Sequence, residues 1–285
     1  MFRRRLPVIG LLVLASLAAT ARRSSAQPLL GEYAVLGLQR TVLRPGARVT
    51  AGAVGTAGGT LVLRNHVRIG GTVAADMIRL DNDATASRFF CRFVVLSHGG
   101  GAVGGPVVGG GALPGCRAFT PPLVDPTLLA PVAVVPGGTD VRVRPFSGTA
   151  PLPAASLRDV MVGRGALLQL AGGSYTARSI RIAPNGRLVC IDACRIGVLE
   201  RIVLAPRAQL GAGAPLRADR VRFDLGASTA SVFRAGPRAA VAGTVFAPSA
   251  TVLLGPHGSY RGAYIGRIVS VGRSATVRAD SAFGS

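Results

Sequence analysis

The chain has no lysine, no tryptophan and only two glutamates, Glu32 and Glu200, among its 285 residues. Each absence excludes something. Without lysine no side chain reaches for a phosphate as a P-loop requires, and the glycine tract from Gly99 to Gly115 has no Gly-Lys-Ser or Gly-Lys-Thr ending; it reads as a loop. The shortage of Glu and Lys, beside 39 glycines and 19 prolines, favours short strands and turns over helices. Aromatic residues make up 5% of the chain, too few for the stacking platforms that accompany basic patches in nucleic-acid modules, so no specific nucleic-acid partner is expected. Tyr260 and Tyr264 flank Arg261 and read as packing residues of the last coils. The three histidines, His66, His98 and His257, are scattered, and no paired carboxylates or nucleophile with a neighbouring base can be read from the sequence. Asp81-Asn82-Asp83 is the tightest acidic pair. It lacks the longer oxygen series and distal Glu of an EF-hand loop and reads as a solvated turn. Asp219 and Asp224 are separated by an odd number of residues and would face opposite sides of a continuous strand. No catalytic residue, cofactor or metal site is assigned.

What is present is arginine. All 33 basic residues are arginine, against 12 acidic ones. The amino terminus has the secretory pattern: Arg3-Arg4-Arg5, an apolar run from Leu6 to Ala21, then small residues suited to cleavage near Ala21 or Ala26. That run is too short for a spanning helix and is interrupted by Pro7 and Ser16, so no stable membrane span is expected after cleavage. Removing the five leader arginines leaves 28 basic against 12 acidic side chains, a net charge of +16. Such a charge attracts polyanions. The same arginine bias, beside abundant Ala, Gly, Pro and Val, is also what a GC-rich coding sequence produces whatever the function. Four cysteines in an exported chain point to two disulfides. Cys190 and Cys194 are close enough to pair locally if the backbone turns between them, and Cys91 with Cys116 would then close the glycine-rich loop.

A phrase recurs along the chain: a small residue two positions before Val or Leu, usually preceded by Gly or Pro. It appears at Ala47-Arg48-Val49, Ala166-Leu167-Leu168, Gly186-Arg187-Leu188, Ala208-Gln209-Leu210, Ala239-Ala240-Val241, Ala250-Thr251-Val252 and Ala275-Thr276-Val277. The spacing falls within the range of solenoid coils. Between these turns lie period-two stretches such as Arg220-Val221-Arg222-Phe223-Asp224-Leu225, Ser179-Ile180-Arg181-Ile182 and Val141-Arg142-Val143-Arg144, the mark of half-buried strands. One such coil cannot bury its apolar face alone, but stacking on the next coil does so. The reading is an all-β, single-chain right-handed parallel β-helix. Its parts are a signal peptide over 1–26, first coils over 27–80, an irregular Gly/Pro-rich crossover over 81–156, and the main body over 157–285.

The run from Leu170 through Gly172, Gly173, Tyr175 and Ile182 to Leu188 resembles exported bacterial β-helix surface proteins of the choice-of-anchor and polymer-forming, bactofilin-like type. The closing coils from Gly243 to Asp280 are similar. The resemblance implies a parallel β-helix in the periplasm, at the cell surface or outside the cell, with no established enzymatic activity. Outward arginines are the functional candidates: Arg142, Arg144, Arg181, Arg220, Arg222 and Arg278, which coil stacking can align into a stripe for acidic polysaccharide or lipopolysaccharide. The expected role is a structural or adhesive envelope component. The alternatives are a β-helix enzyme acting on polysaccharide and a scaffold that self-associates through its open ends.

Overall fold

A computed structural model describes residues 28–96, 116–117, 124, 126–226, 228 and 230–280. The leader, the glycine tract and the Cys116 side chain lie outside them. No helix among the described residues is long and apolar enough to cross a membrane.

The described chain forms β-strands joined by tight corners. The amino-terminal half supplies β1 (Tyr33–Leu43), β2 (Arg48–Ala51), β3 (Ala53–Leu63), β4 (Arg68–Leu80), β5 (Thr85–Leu96) and β6 (Cys116–Arg117). The second half runs through β7 (Thr139–Val143), β8 (Leu157–Val162), β9 (Leu167–Leu170), β10 (Gly173–Ile182), β11 (Arg187–Cys190), β12 (Cys194–Leu204) and β13 (Gln209–Ala212). It ends with β14 (Val221–Leu225), β15 (Val232–Ala235), β16 (Ala240–Ala242), β17 (Thr244–Leu254), β18 (Ser259–Arg261), β19 (Tyr264–Val271) and β20 (Thr276–Arg278). Every strand pairing is parallel, so the expected parallel solenoid is what forms. Each coil has three faces. A long strand such as β10 or β12 breaks register midway and bends, giving face A with its first half and face B with its second, and a short strand such as β11 or β13 gives face C.

Corners explain the recurring phrase. Between faces B and C the chain makes a four-residue turn whose third residue is left-handed at every described corner: Gly46, His66, Asp83, Phe146, Gly165, Asn185, Arg207, Arg238, His257 and Ser274. The fourth is small in nearly every coil and buried at Ala47, Ala84, Ala166, Ala208, Ala239 and Ala275, because it packs at the tip of the core. Corners also bond to one another: the Arg207 N–H donates to Pro237 O at 2.9 Å and the Arg238 N–H to Pro256 O at 2.8 Å. Six of the seven phrases mark this corner. The one at Ala250 lies instead at the bend between faces A and B.

The core is a set of inward columns. On face A, Val35 aligns with Val54, Val73 and Phe89 on one side and with Tyr264, Val245, Phe223, Ile196 and Tyr175 on the other. Each large member contributes about 1.5–3 kcal/mol on leaving water. Tyr260 and Tyr264 belong to this interior, edge to face with ring centroids 5.8 Å apart.

The order of rungs is not the order of the chain. On face B the strands run in space β5, β4, β3, β1, β19, β17, β15, β12, β10, β8, β7, eleven rungs in all. The chain therefore starts at the waist, winds outward to one tip, crosses to the opposite tip, and winds back until β19 closes against β1 and β20 against β2. The returning segment packs on the outside of face A, where Val124, Leu129 and Val132 meet Leu36, Phe90, Phe246 and Ile265. The Val134 methyls stand over Gly197, 3.2 Å from where a side chain would begin.

This strap is shorter than the excursion expected over 81–156. β5 forms a further rung before it and β7 opens the second half after it. The strap buries Phe90 on the outward side of its strand, which conceals β5 from an alternation test. Cys190 and Cys194 are bonded across the corner between faces C and A, where the backbone makes the turn that local pairing needs. Cys91 is also in a disulfide, and β6 places the Cys116 backbone beside Phe89.

Candidate functional site

The strap packs on face A and leaves face B uncovered among the described residues, and face B presents two outward columns. Register fixes the first as Phe93, Met77, Thr60, Arg40, Ile268, Thr251, Val232, Arg201, Ser179 and Asp159. The second reads Val95, Arg79, Val62, Val42, Ser270, Leu253, Arg234, Val203, Arg181, Met161 and Arg142. The first column lies toward the bend with face A, the second toward the corner with face C.

Charge is sorted across this face. Carboxylates gather on the face A side of the second half. Asp140 receives Arg158 through two hydrogen bonds at 2.8 and 2.7 Å, and on the next rung Asp159 receives Arg178 and the Ser179 hydroxyl. These donors hold both carboxyls below the usual range, Asp140 at about 2, chiefly through the Arg158 hydrogen bonds. On the opposite side the corner carries Arg144, Arg164, Arg207, Arg238, Arg273 and Arg44, all exposed. None of these six forms an ion pair among the described residues. Arg181 and Arg234, in the adjoining strand column, are likewise exposed and outside any such pair. The carboxylates of this corner, Asp81 and Asp83, sit at one end and are taken by Arg64 at 3.0 Å and His66 at 3.2 Å. Asp81-Asn82-Asp83 forms the turn after β4, with the Asp83 side chain exposed and that of Asp81 largely buried.

Two shallow grooves follow the basic edge. One is lined by Arg142, Met161, Arg181 and Val203 with Val162 and Ile182 beneath. The other, further along the axis, is lined by Arg234, Leu253, Ser270, Arg44, Arg273 and His257. Neither has a carboxylate in its wall.

The six arginines expected to form one stripe are distributed over three faces. Arg142 and Arg181 share the outer column of face B, and Arg144 is at the adjoining corner, so these three do come together. Arg278 is on face C, level with Arg261. Arg220 closes a short 3-10 turn, Ala218–Arg220, ahead of β14. Arg222 is on face A, where it and Arg195 each place Nε 2.7 Å from the buried carboxylate of Asp224, and its guanidinium lies 4.8 Å from the Phe246 ring centroid. Arg222 is thus committed to its neighbours. The corner arginines other than Arg144 do not show in the alternation of strands because they occupy turns. Superposing the turns Ala205-Pro206-Arg207-Ala208 and Gly236-Pro237-Arg238-Ala239 would have aligned them.

No family model matches the sequence, and no curated protein matches it. Among solved structures, the crystal structure of an ice binding protein from an Antarctic biological consortium aligns over 95% of this chain and 96% of its own, at 12% identity and a TM-score of 0.46. The resemblance to choice-of-anchor or bactofilin-like proteins gains no family match, and the functional reading rests on the residues of face B and its corner.

Proposed function

We propose that the protein is an exported, non-enzymatic adhesive or structural solenoid that holds acidic polysaccharide along the basic edge of face B. The observation that carries this is the sorting of charge. Where arginines serve the fold they are matched, as Arg158 and Arg178 are, whereas Arg144, Arg164, Arg207, Arg238, Arg273 and Arg44 along the corner have no carboxylate partner among the described residues. Rungs about 4.8 Å apart hold the backbone of these corners in a row, so a polyanion meets several guanidiniums whose attachment points are already ordered. The disulfides accord with an oxidising destination.

A second reading has its own observation. Across the four waist rungs, Thr60, Val62, Val42, Ile268, Ser270, Thr251 and Leu253 share the surface with a single charge, Arg40. Same-face positions along a strand repeat at about 6.7 Å and rungs at about 4.8 Å, a rigid plane of apolar and hydroxyl groups suited to adsorbing on an ordered solid such as ice.

One set of measurements separates the two. Retention on immobilised heparin should fall steeply with salt and fall further in the triple variant Arg207→Gln, Arg238→Gln, Arg273→Gln. Retention indifferent to both would overturn the polysaccharide reading. A thermal hysteresis abolished by Val42→Arg and untouched by the triple variant would put the ice reading in its place.

A further inference from the structure

The outer column of face B has a period of its own. From the β7 tip it runs Arg142, Met161, Arg181, Val203, Arg234, Leu253, so that arginine occupies every second rung and an apolar side chain the rung between. Beyond Leu253 the alternation ends with Ser270, Val42 and Val62. Two rungs of a parallel sheet span about 9.6 Å, and that is the interval at which cationic positions recur. The two grooves of this edge follow one another along the same line, the first ending at Val203 and the second opening at Arg234 on the next rung. Together they make one trough parallel to the solenoid axis.

Resting on the polysaccharide reading above, we propose that this trough selects a linear glycan in which an acidic sugar alternates with an uncharged one. Two hexose rings in extended linkage cover about the length of two rungs. Laid in the trough, such a chain brings successive carboxylates to Arg181 and Arg234, and to Arg142, whose guanidinium also lies 3.7 Å from Asp140; each guanidinium can donate a paired, charge-assisted hydrogen bond to the carboxylate it meets. The intervening neutral sugars place their carbon-rich faces on Met161, Val203 and Leu253. A chain with an acid on every sugar puts half of its carboxylates over those apolar side chains, where they lose water and gain no partner. Three contacts on one chain act together, so a mismatch in interval weakens all of them beyond the first.

The test compares length-matched oligosaccharides of hyaluronan, acidic at alternate sugars, and of polygalacturonate, acidic at every sugar, by calorimetry on the disulfide-intact protein at fixed salt. Hyaluronan is expected to bind roughly tenfold more tightly, and Arg181→Gln to remove most of that advantage. Val203→Arg, which fills one apolar gap with charge, is expected to move the preference toward polygalacturonate. Both substituted positions point outward from face B, Arg181 exposed and Val203 half-buried, so unchanged melting temperatures separate a change of ligand from a change of fold. Equal affinities that Val203→Arg leaves equal would overturn the spacing proposal while the general reading stands. Binding of neither polymer would overturn both.

Discussion

At the scale of single residues, the corner between faces B and C shows what the sequence is selected for. Its third position needs φ near +60°, a region that costs most side chains about 1–2 kcal/mol and β-branched ones more. The chain meets this with Gly46 and Gly165 in two coils, with Asn185 and Asp83 in others, and with Arg207, Arg238 and Phe146 where the neighbouring rungs hold the turn in place. Asn185→Gly should leave stability nearly unchanged, whereas Asn185→Val should lower it by about 1–2 kcal/mol in denaturant unfolding. Equal midpoints for the two variants would show that the turn is not the constraint. Asp224 is the other informative residue. A carboxylate buried to 1% exposure is tolerated because Arg195 and Arg222 both reach it, and no amount of strand periodicity predicts that pairing, since Arg195 lies on the rung below.

Elements carry the acid side of face B. The Asp140–Arg158 and Asp159–Arg178 pairs tie β7, β8 and β10 at the tip of the second half. A carboxyl held at about 2 in the folded chain, against about 3.9 when unfolded, contributes stability that is complete above pH 4 and is lost as the pH falls toward 2. Asp140→Asn should therefore flatten the fall in melting temperature between pH 5 and pH 2. A fall of unchanged steepness would assign acid sensitivity to other carboxyls.

Much of this level was legible in the sequence. Val141 to Val143, Ser179 to Ile182 and Val221 to Leu225 all form strands where their period of two placed them. β5 was not legible, because Phe90 is buried outward beneath the strap and Arg88 and Arg92 interrupt the pattern. The basic edge was half legible: Arg142 and Arg181 are in strands, while Arg207, Arg238 and Arg273 belong to turns whose alignment appears only once the rungs are stacked.

At the scale of the whole molecule, the unexpected feature is the order of the rungs. A parallel rung accepts any partner that offers a matching edge, so nothing local in β1 announces that β19, more than two hundred residues later, will lie against it. Val35 meets Tyr264, Leu43 meets Val271 and Val49 meets Val277 across this closure, and the Ser274 N–H donates to Pro45 O at 3.1 Å. The two halves thus join by the same backbone pairing that joins consecutive coils. Residues 28–123 and 124–280, expressed together as separate chains, should assemble and elute as one complex, held by β1 with β19, β2 with β20 and the strap on face A. Recovery of two independent soluble species would mean that the covalent crossover, not the closure, holds the halves together.

The closure also decides how the molecule would hang from anything attached to it. Both β1 and β20 belong to interior rungs, nearer the β5 tip than the β7 tip, so a tether at either end of the described chain would leave from the flank and both poles would stay free. A particle moored by its flank lies along a surface like a crossbar, with its long axis parallel to the support. Its arginine edge would then be offered lengthwise to whatever passes, all rungs at once.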